Sequence, residues 1–246
     1  LNPERDDRSV ARFDAKTVVV TGAGRHGQVG EAVAREFARR GASVMIIDRE
    51  GARAEMLASS LRAEGLSVTA FGADLTDPAA TADAAARIAA ASGGLVHTLA
   101  NVAGGFAMSG PVTDSDPAVF QRQLAINLGS AYGATRAFLP FLRATKGTIV
   151  FMASASVLPG GKVGGMSAYA AAKAGVVTFM RAVAQEERSN GVRANALAPT
   201  AIRTSANLGL MGEKFPYVER EAVASMIAFL CSEAAANING QVIELA

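Results

Sequence analysis

The stretch "KTVVVTGAGRHGQVGEAVAREFARRGASVMIID", residues 16–48, decides how the rest of the chain is read. It contains a β-branched run, a glycine-rich turn, an amphipathic segment and a second apolar run that ends on an acid. Val18, Val19 and Val20 do not alternate with polar residues, and neither do Val44, Met45, Ile46 and Ile47, so both runs read as strands covered on both faces. Between them, over residues 29–40, Val33, Phe37 and the alanines form one apolar stripe while Arg35, Arg39 and Arg40 face away. Two covered strands joined by a helix form a parallel pair.

The alternation continues to the end of the chain. "LSVTAFG" (66–72), "LVHTLAN" (95–101), "GTIVFMAS" (147–154), "VRANALAP" (192–199) and "GQVIELA" (240–246) read as further strands. Helical patterns over residues 53–64, 79–91, 118–143, 167–190 and 222–232 separate them. The expectation is an α/β protein: a single doubly wound, Rossmann-like domain over residues 16–246. Its mostly parallel seven-stranded sheet carries helices on both faces, and a charged arm at 1–15 precedes it. No linker divides the chain.

With 246 residues, 50% of them hydrophobic and 19% charged, the chain can bury a sizeable core. A net charge of +2 without a long basic run gives no reason to expect a nucleic-acid surface. No apolar run approaches the ~20 residues of a membrane span. The opening "LNPERDDRSVARFD" lacks the apolar core of a signal peptide, so a cytoplasmic protein is expected. Cys231, in "MIAFLCSE", reads as a buried inert thiol, and the two histidines offer no metal-ligand spacing.

The glycine turn carries the first chemistry. Gly22, Gly27 and Gly30 let the backbone turn tightly, and the helix beginning at Val29 aims its N–H groups at an anion such as a pyrophosphate. Asp48, at the end of the second strand, is placed to accept from the ribose hydroxyls of a dinucleotide and to repel a 2′-phosphate. NAD is therefore favoured over NADP, although Arg25 and His26 in the loop pull the other way. A second constellation lies in "SAYAAAKAG", where Tyr169 and Lys173, four residues apart, share a helix face. A neighbouring ammonium favours phenolate and would bring the tyrosine toward general acid–base use. "GTIVFMASAS" ends a strand with Ser154 and Ser156, "AINLGS" places Asn127 inside a helix, and "LANVAGG" closes a strand with glycines.

Together these motifs, in this order and spacing, resemble the short-chain dehydrogenase/reductase family from Lys16 to Leu245. "TGAGRHGQVG" is similar to its Thr-Gly-x-x-x-Gly-x-Gly turn, with two extra residues. "ADL" resembles the segment that meets the adenine through Asp74 and Leu75, and "NVAG" the strand end with Asn101, Ala103 and Gly104. "LAPTAIRT" resembles the Pro-Gly segment at the nicotinamide carboxamide, through Pro199, Ile202 and Thr204, with Thr200 in place of the glycine. The resemblance implies hydride transfer between a nicotinamide cofactor and a small-molecule alcohol or carbonyl compound. In that scheme Tyr169 is the general acid–base and Lys173 lowers its pKa and binds ribose. A serine holds the substrate oxygen, and Asn127 holds a relay water. Counting along the strand selects Ser154, and counting back from Tyr169 selects Ser156; Ser154 is preferred because strand ends are geometrically fixed. The resemblance also implies a homotetramer or homodimer paired through the helices at 118–143 and 167–190. Residues 205–220 are short for the family's substrate-covering segment. Phe106, Met108, Leu158, Met166 and Leu208 suggest a mainly apolar substrate. The competing reading is a catalytically inactive NAD-binding redox sensor.

Overall fold

The computed structural model describes residues 11–246, so most of the expected arm at 1–15 lies outside the described residues. Within its last five, Phe13 is buried and meets Phe37 edge-on, ring centroids 4.9 Å apart. The central sheet contains β1 (Thr17–Thr21), β2 (Ser43–Asp48), β3 (Val68–Gly72), β4 (Thr98–Asn101), β5 (Thr148–Met152) and β6 (Arg193–Pro199). A last strand, β9 (Val242–Leu245), completes it in the order β3-β2-β1-β4-β5-β6-β9, and every pairing is parallel.

Five of the six expected helices form as expected among the described residues: α1 (Val29–Arg39), α2 (Gly51–Ala63), α3 (Pro78–Ala91), α6 (Ser167–Glu186) and α8 (Arg220–Leu230); α5 (Ser130–Thr145) lies within the sixth. Alternate residues of β1 divide the core between the two sheet faces. Val18 and Val20 join Phe37 of α1, Leu57 and Leu61 of α2 and Ile227 of α8. Val19 joins Ile88 of α3, Phe138 and Leu142 of α5 and Met180 of α6. Burying Leu57, Ile88, Phe138 and Met180 is worth about 1.5–3 kcal/mol each, which is what holds both helix layers on the sheet. Asp-Pro pairs start two helices: Asp77 accepts from the Ala79 N–H at 2.8 Å, and Asp116 accepts from the Ala118 N–H at 2.8 Å. A side-chain acceptor followed by proline at the first helical position is a strong start signal.

The single helix expected over 118–143 is interrupted. It runs as α4 (Pro117–Gln123), a π-turn at Leu124–Gly129, and then α5. One extra residue in a turn does not disturb the apolar period enough to be read from sequence. A short α7 (Ser205–Met211) and a separate two-stranded parallel ladder were also not expected. In the ladder, β7 (Ile202–Arg203) pairs with β8 (Val218–Glu219).

Two titratable groups belong to the scaffold. Cys231 is buried, and burial pushes its thiol up to about 12. His97 accepts the Thr17 N–H on Nδ1 at 3.0 Å, so its neutral ring carries the proton on Nε2. Burial, with Lys16 nearby, lowers its pKa below the ordinary 6.5. The unfolded chain therefore takes this proton first as pH falls. The His97 contribution is whole above about pH 6.5 and is lost below it. Thermal melts at pH 7 and pH 5 should show a smaller drop for His97→Asn, whose amide oxygen can accept from Thr17 without titrating. An equal drop in both proteins would show that His97 has no part in acid sensitivity.

Candidate active site

From β3 the chain crosses through α3 to β4, on the other side of β1, so the carboxyl ends of β1 and β4 part there and leave a crevice. Open α/β sheets bind ligands at such a switch point. The crevice consists of two connected hollows of about 480 and 700 Å³, which share Gly22, Arg25, Asp48 and the loop from Ala103 to Phe106.

One hollow is built from the glycine turn. A Cβ at Gly30 would lie 2.4 Å from the Gly22 carbonyl oxygen, so α1 enters the crevice closer than any other residue would allow. The Thr21 hydroxyl accepts from the Val102 and Ala103 N–H groups at 3.0 and 3.1 Å and ties the turn to the end of β4. Asp48 is held by the Glu50 N–H, 3.0 Å from Oδ1, and its carboxylate lies against Gly24, where a Cβ would come 2.5 Å from Cγ. Arg25, Val29, Gly30 and Asp48 line the crevice, and Asp74 and Leu75 line its far end. Asp74 accepts from the Thr76 hydroxyl and N–H at 2.7 and 2.9 Å, which holds its carboxyl below the ordinary range.

Gly27 stands apart from the lining. Its N–H donates to Glu31 Oε2 at 2.6 Å, and its carbonyl accepts from the Ser205 N–H at 3.1 Å. Gln28 lines the crevice instead. Glu31 is buried, and hydrogen bonds from Gly27, His26 and Arg35 outweigh desolvation and lower its pKa. This carboxylate organises the two extra loop residues. It stands in the third position of α1, where acids commonly reach back to a preceding amide, and that was the signal available in the sequence.

The second constellation sits at the ends of β4 and β5. Lys173 is buried and donates to the Met152 carbonyl at 2.7 Å; burial lowers its pKa to about 8. Asn127, in the π-turn, donates to the Gly105 carbonyl at 3.0 Å, and the Gly105 N–H donates to its Oδ1 at 3.2 Å. Gly104 makes room: a Cβ there would lie 2.5 Å from Asn127 Oδ1 and 3.6 Å from Lys173 Nζ. A π-turn takes backbone groups off the regular helical ladder, and such turns recur at functional sites.

Tyr169 lies 5.8 Å from Lys173 Nζ, measured to the ring centroid, and packs edge-on against Phe106 at 5.1 Å. Burial raises its pKa, and a hydrogen bond with Ser154 opposes part of that rise. The net direction is upward, opposite to the lowering expected from the lysine, because desolvation of the phenolate outweighs the other effects at this site. Ser154 Oγ lies 2.9 Å from Ser156 Oγ. Asn101 is buried beside the crevice and donates to the Thr135 hydroxyl at 3.1 Å, a scaffold contact within the second layer of the site. Pro199, Thr200, Ile202 and Thr204 form one wall, and α7 contributes Ala206, Asn207 and Leu210. The single Tyr217 hydroxyl proton is shared between the carbonyls of Asn207 and Gly212, at 3.1 and 2.8 Å, and draws residues 205–217 together beside the crevice.

A glycine turn, a strand-end acid and a lysine–tyrosine pair lie together in one crevice at the switch point where open α/β sheets bind nucleotides. The model of the short chain dehydrogenase family matches residues 16–211. The chain belongs to the short-chain dehydrogenase/reductase family and is a hydride-transfer oxidoreductase that uses a nicotinamide cofactor. It is 34% identical to 2-(S)-hydroxypropyl-CoM dehydrogenase 3 of Xanthobacter autotrophicus, over 93% of this chain and 94% of that protein. It is also 34% identical to meso-2,3-butanediol dehydrogenase of Serratia marcescens, over 93% and 92%. The structure of the citronellol catabolism dehydrogenase of Pseudomonas aeruginosa superposes with a TM-score of 0.83 at 30% identity, covering 96% of this chain and 95% of that one.

Proposed function

We propose that the chain is an NAD-dependent dehydrogenase that interconverts a neutral, mainly apolar secondary alcohol and its ketone. The observation that carries this reading is the convergence of Lys173, Tyr169 and Asn127 at one end of a crevice whose other end holds Asp48. The donor set fits a dinucleotide: the amide-rich turn at Gly22–Gly30 suits a pyrophosphate, Asp48 suits ribose hydroxyls, and the wall of Pro199, Ile202 and Thr204 suits a carboxamide. When bound, the nicotinamide supplies the hydride donor or acceptor for the substrate carbon.

The protein's own groups handle the proton. Tyr169 holds it at the phenol oxygen and exchanges it with the substrate oxygen. Lys173, as a cation, stabilises the phenolate left behind, and Ser154 donates to the substrate oxygen as charge develops there. Asn127, through its bonds with Gly105, fixes the end of β4 against Lys173, and its backbone carbonyl is the acceptor for a relay water. Residues 205–220 serve as the substrate flap. Phe106, against Tyr169, and Ala206 and Leu210 of α7 supply apolar lining to the same hollow, which supports an apolar substrate over a polyol. The same reading has a cytoplasmic homotetramer or homodimer; α5 and α6 present the Tyr132 and Phe179 rings, 5.6 Å apart, on the face that would pair.

The test is turnover of a panel of apolar secondary alcohols and polyols with each cofactor. Asp48→Ser removes the charge that opposes a 2′-phosphate, and like-charge contact costs several kcal/mol. The ratio of kcat/KM for NAD to that for NADP should therefore fall by about 10²-fold or more. An unchanged ratio, or wild-type preference for NADP, would overturn the cofactor assignment. Higher kcat/KM on polyols than on apolar alcohols would overturn the substrate class.

A further inference from the structure

We infer that Ser156 is a positioning residue: its hydroxyl donates to Ser154 and thereby turns the one Ser154 proton toward the reacting oxygen. The inference rests on the function proposed above. Ser154 caps the 3₁₀ turn Ala155–Val157, and its Oγ accepts from the Ser156 N–H at 3.3 Å. The Ser156 hydroxyl stands 2.9 Å from the same oxygen. A serine hydroxyl has one proton and two lone pairs. If Ser154 donated to Ser156, its one proton would be taken up there and could not be donated on the side of Tyr169. With Ser156 as donor, both lone pairs of Ser154 are filled from one side. Its proton is then left for the other side, where Tyr169 is its neighbour.

The loop between β5 and α6 holds this arrangement. Gly161 folds back onto the turn, its N–H donating to the Leu158 carbonyl at 2.9 Å. A Cβ at Gly161 would come 2.1 Å from the Ser156 carbonyl oxygen, so the loop lies directly against the residue it positions. The extra length of this loop, which makes the count back from Tyr169 select Ser156, is the same segment that presses Ser156 into place.

The experiment compares Ser154→Ala, Ser156→Ala, Ser156→Thr and the double alanine variant. Ser156→Ala should lower kcat about tenfold, the rate equivalent of one neutral hydrogen bond, with KM and cofactor affinity little changed. Threonine retains the hydroxyl and should restore most of the loss. Ser154→Ala should cost about 10²–10³-fold, and the double variant no more than that, because Ser156 acts only through Ser154. An unchanged kcat in Ser156→Ala overturns the inference, as does a double variant well below Ser154→Ala. A Ser156→Ala loss larger than that of Ser154→Ala also overturns it, since Ser156 would then contact substrate itself. A readout that needs no turnover keeps this distinct from failure of the proposed function. The Tyr169 phenol, followed by NMR titration of labelled tyrosine, should titrate higher in Ser156→Ala because the Ser154 hydroxyl is then free to rotate and its donation, which opposes burial, is weakened. An unchanged titration overturns the inference even if no alcohol is ever oxidised.

Discussion

Tyr169→Phe will lower kcat by roughly 10²–10⁴-fold, the range general acid–base groups contribute. Its effect on the fold and on cofactor affinity will be small. The phenylalanine ring keeps the edge-on contact with Phe106 at 5.1 Å, so the wall of the crevice is preserved and only the proton carrier is removed. The loss should appear in kcat and kcat/KM together, as for a group acting in the transition state. Steady-state kinetics with the best alcohol of the panel, alongside cofactor titration by fluorescence, checks it. Activity within about tenfold of wild type would mean that another group carries the proton.

Lys173→Met will separate activity from stability. A fully buried ammonium whose pKa has fallen from 10.5 to about 8 weakens the fold wherever it is charged in both states. The gap corresponds to roughly 3 kcal/mol. Below about pH 8 this penalty is complete. Between about 8 and 10.5 the folded protein has released the proton while the unfolded chain keeps it, so the lysine makes the fold more stable as pH rises; above that window the effect is level. Methionine removes the penalty but leaves the Met152 carbonyl without its 2.7 Å donor, a loss of about 1–3 kcal/mol. At pH 7 the variant should be at least as stable as wild type, and its melting temperature should lack the alkaline rise. Turnover should fall by about 10²-fold or more, because the cation beside the phenol is gone. A variant that melts well below wild type at pH 7 would show that the lysine is a structural group first and that its burial penalty is small.

The fold was legible in the sequence wherever burial alone sets the pattern. Seven runs rich in apolar residues became seven parallel strands: β1, β2 and β5 are nearly continuous in apolar residues because both faces are covered, and the edge strands β3 and β9 carry exposed Thr69 and Glu244. The sequence placed Asp48, Gly104, Tyr169 and Lys173 in one crevice because strand ends and the i, i+4 spacing fix their positions regardless of loop detail; Asn127 was singled out as an asparagine inside a helical stretch. Loop length hid the rest. Two added residues in the glycine turn left the direction of the Gly27 N–H undetermined, and only the structure shows it turned to Glu31. The π-turn around Asn127 leaves the surrounding helical period nearly intact. The Tyr169 pKa was read from its neighbour alone, whereas depth of burial, a property of the whole fold, decides its direction. The segment over residues 205–217 has no apolar period and is held by the Tyr217 hydroxyl, a contact that composition does not announce.

Cys231 has a practical consequence for labelling that segment. With a thiol pushed up to about 12 and no exposure to speak of, it will react negligibly with maleimides at neutral pH. It is the sole cysteine in the chain, so one introduced at Leu210, which is 74% exposed, becomes the single reactive handle without any prior cysteine removal. A fluorophore or spin label attached there reports the surroundings of α7 at the edge of the crevice.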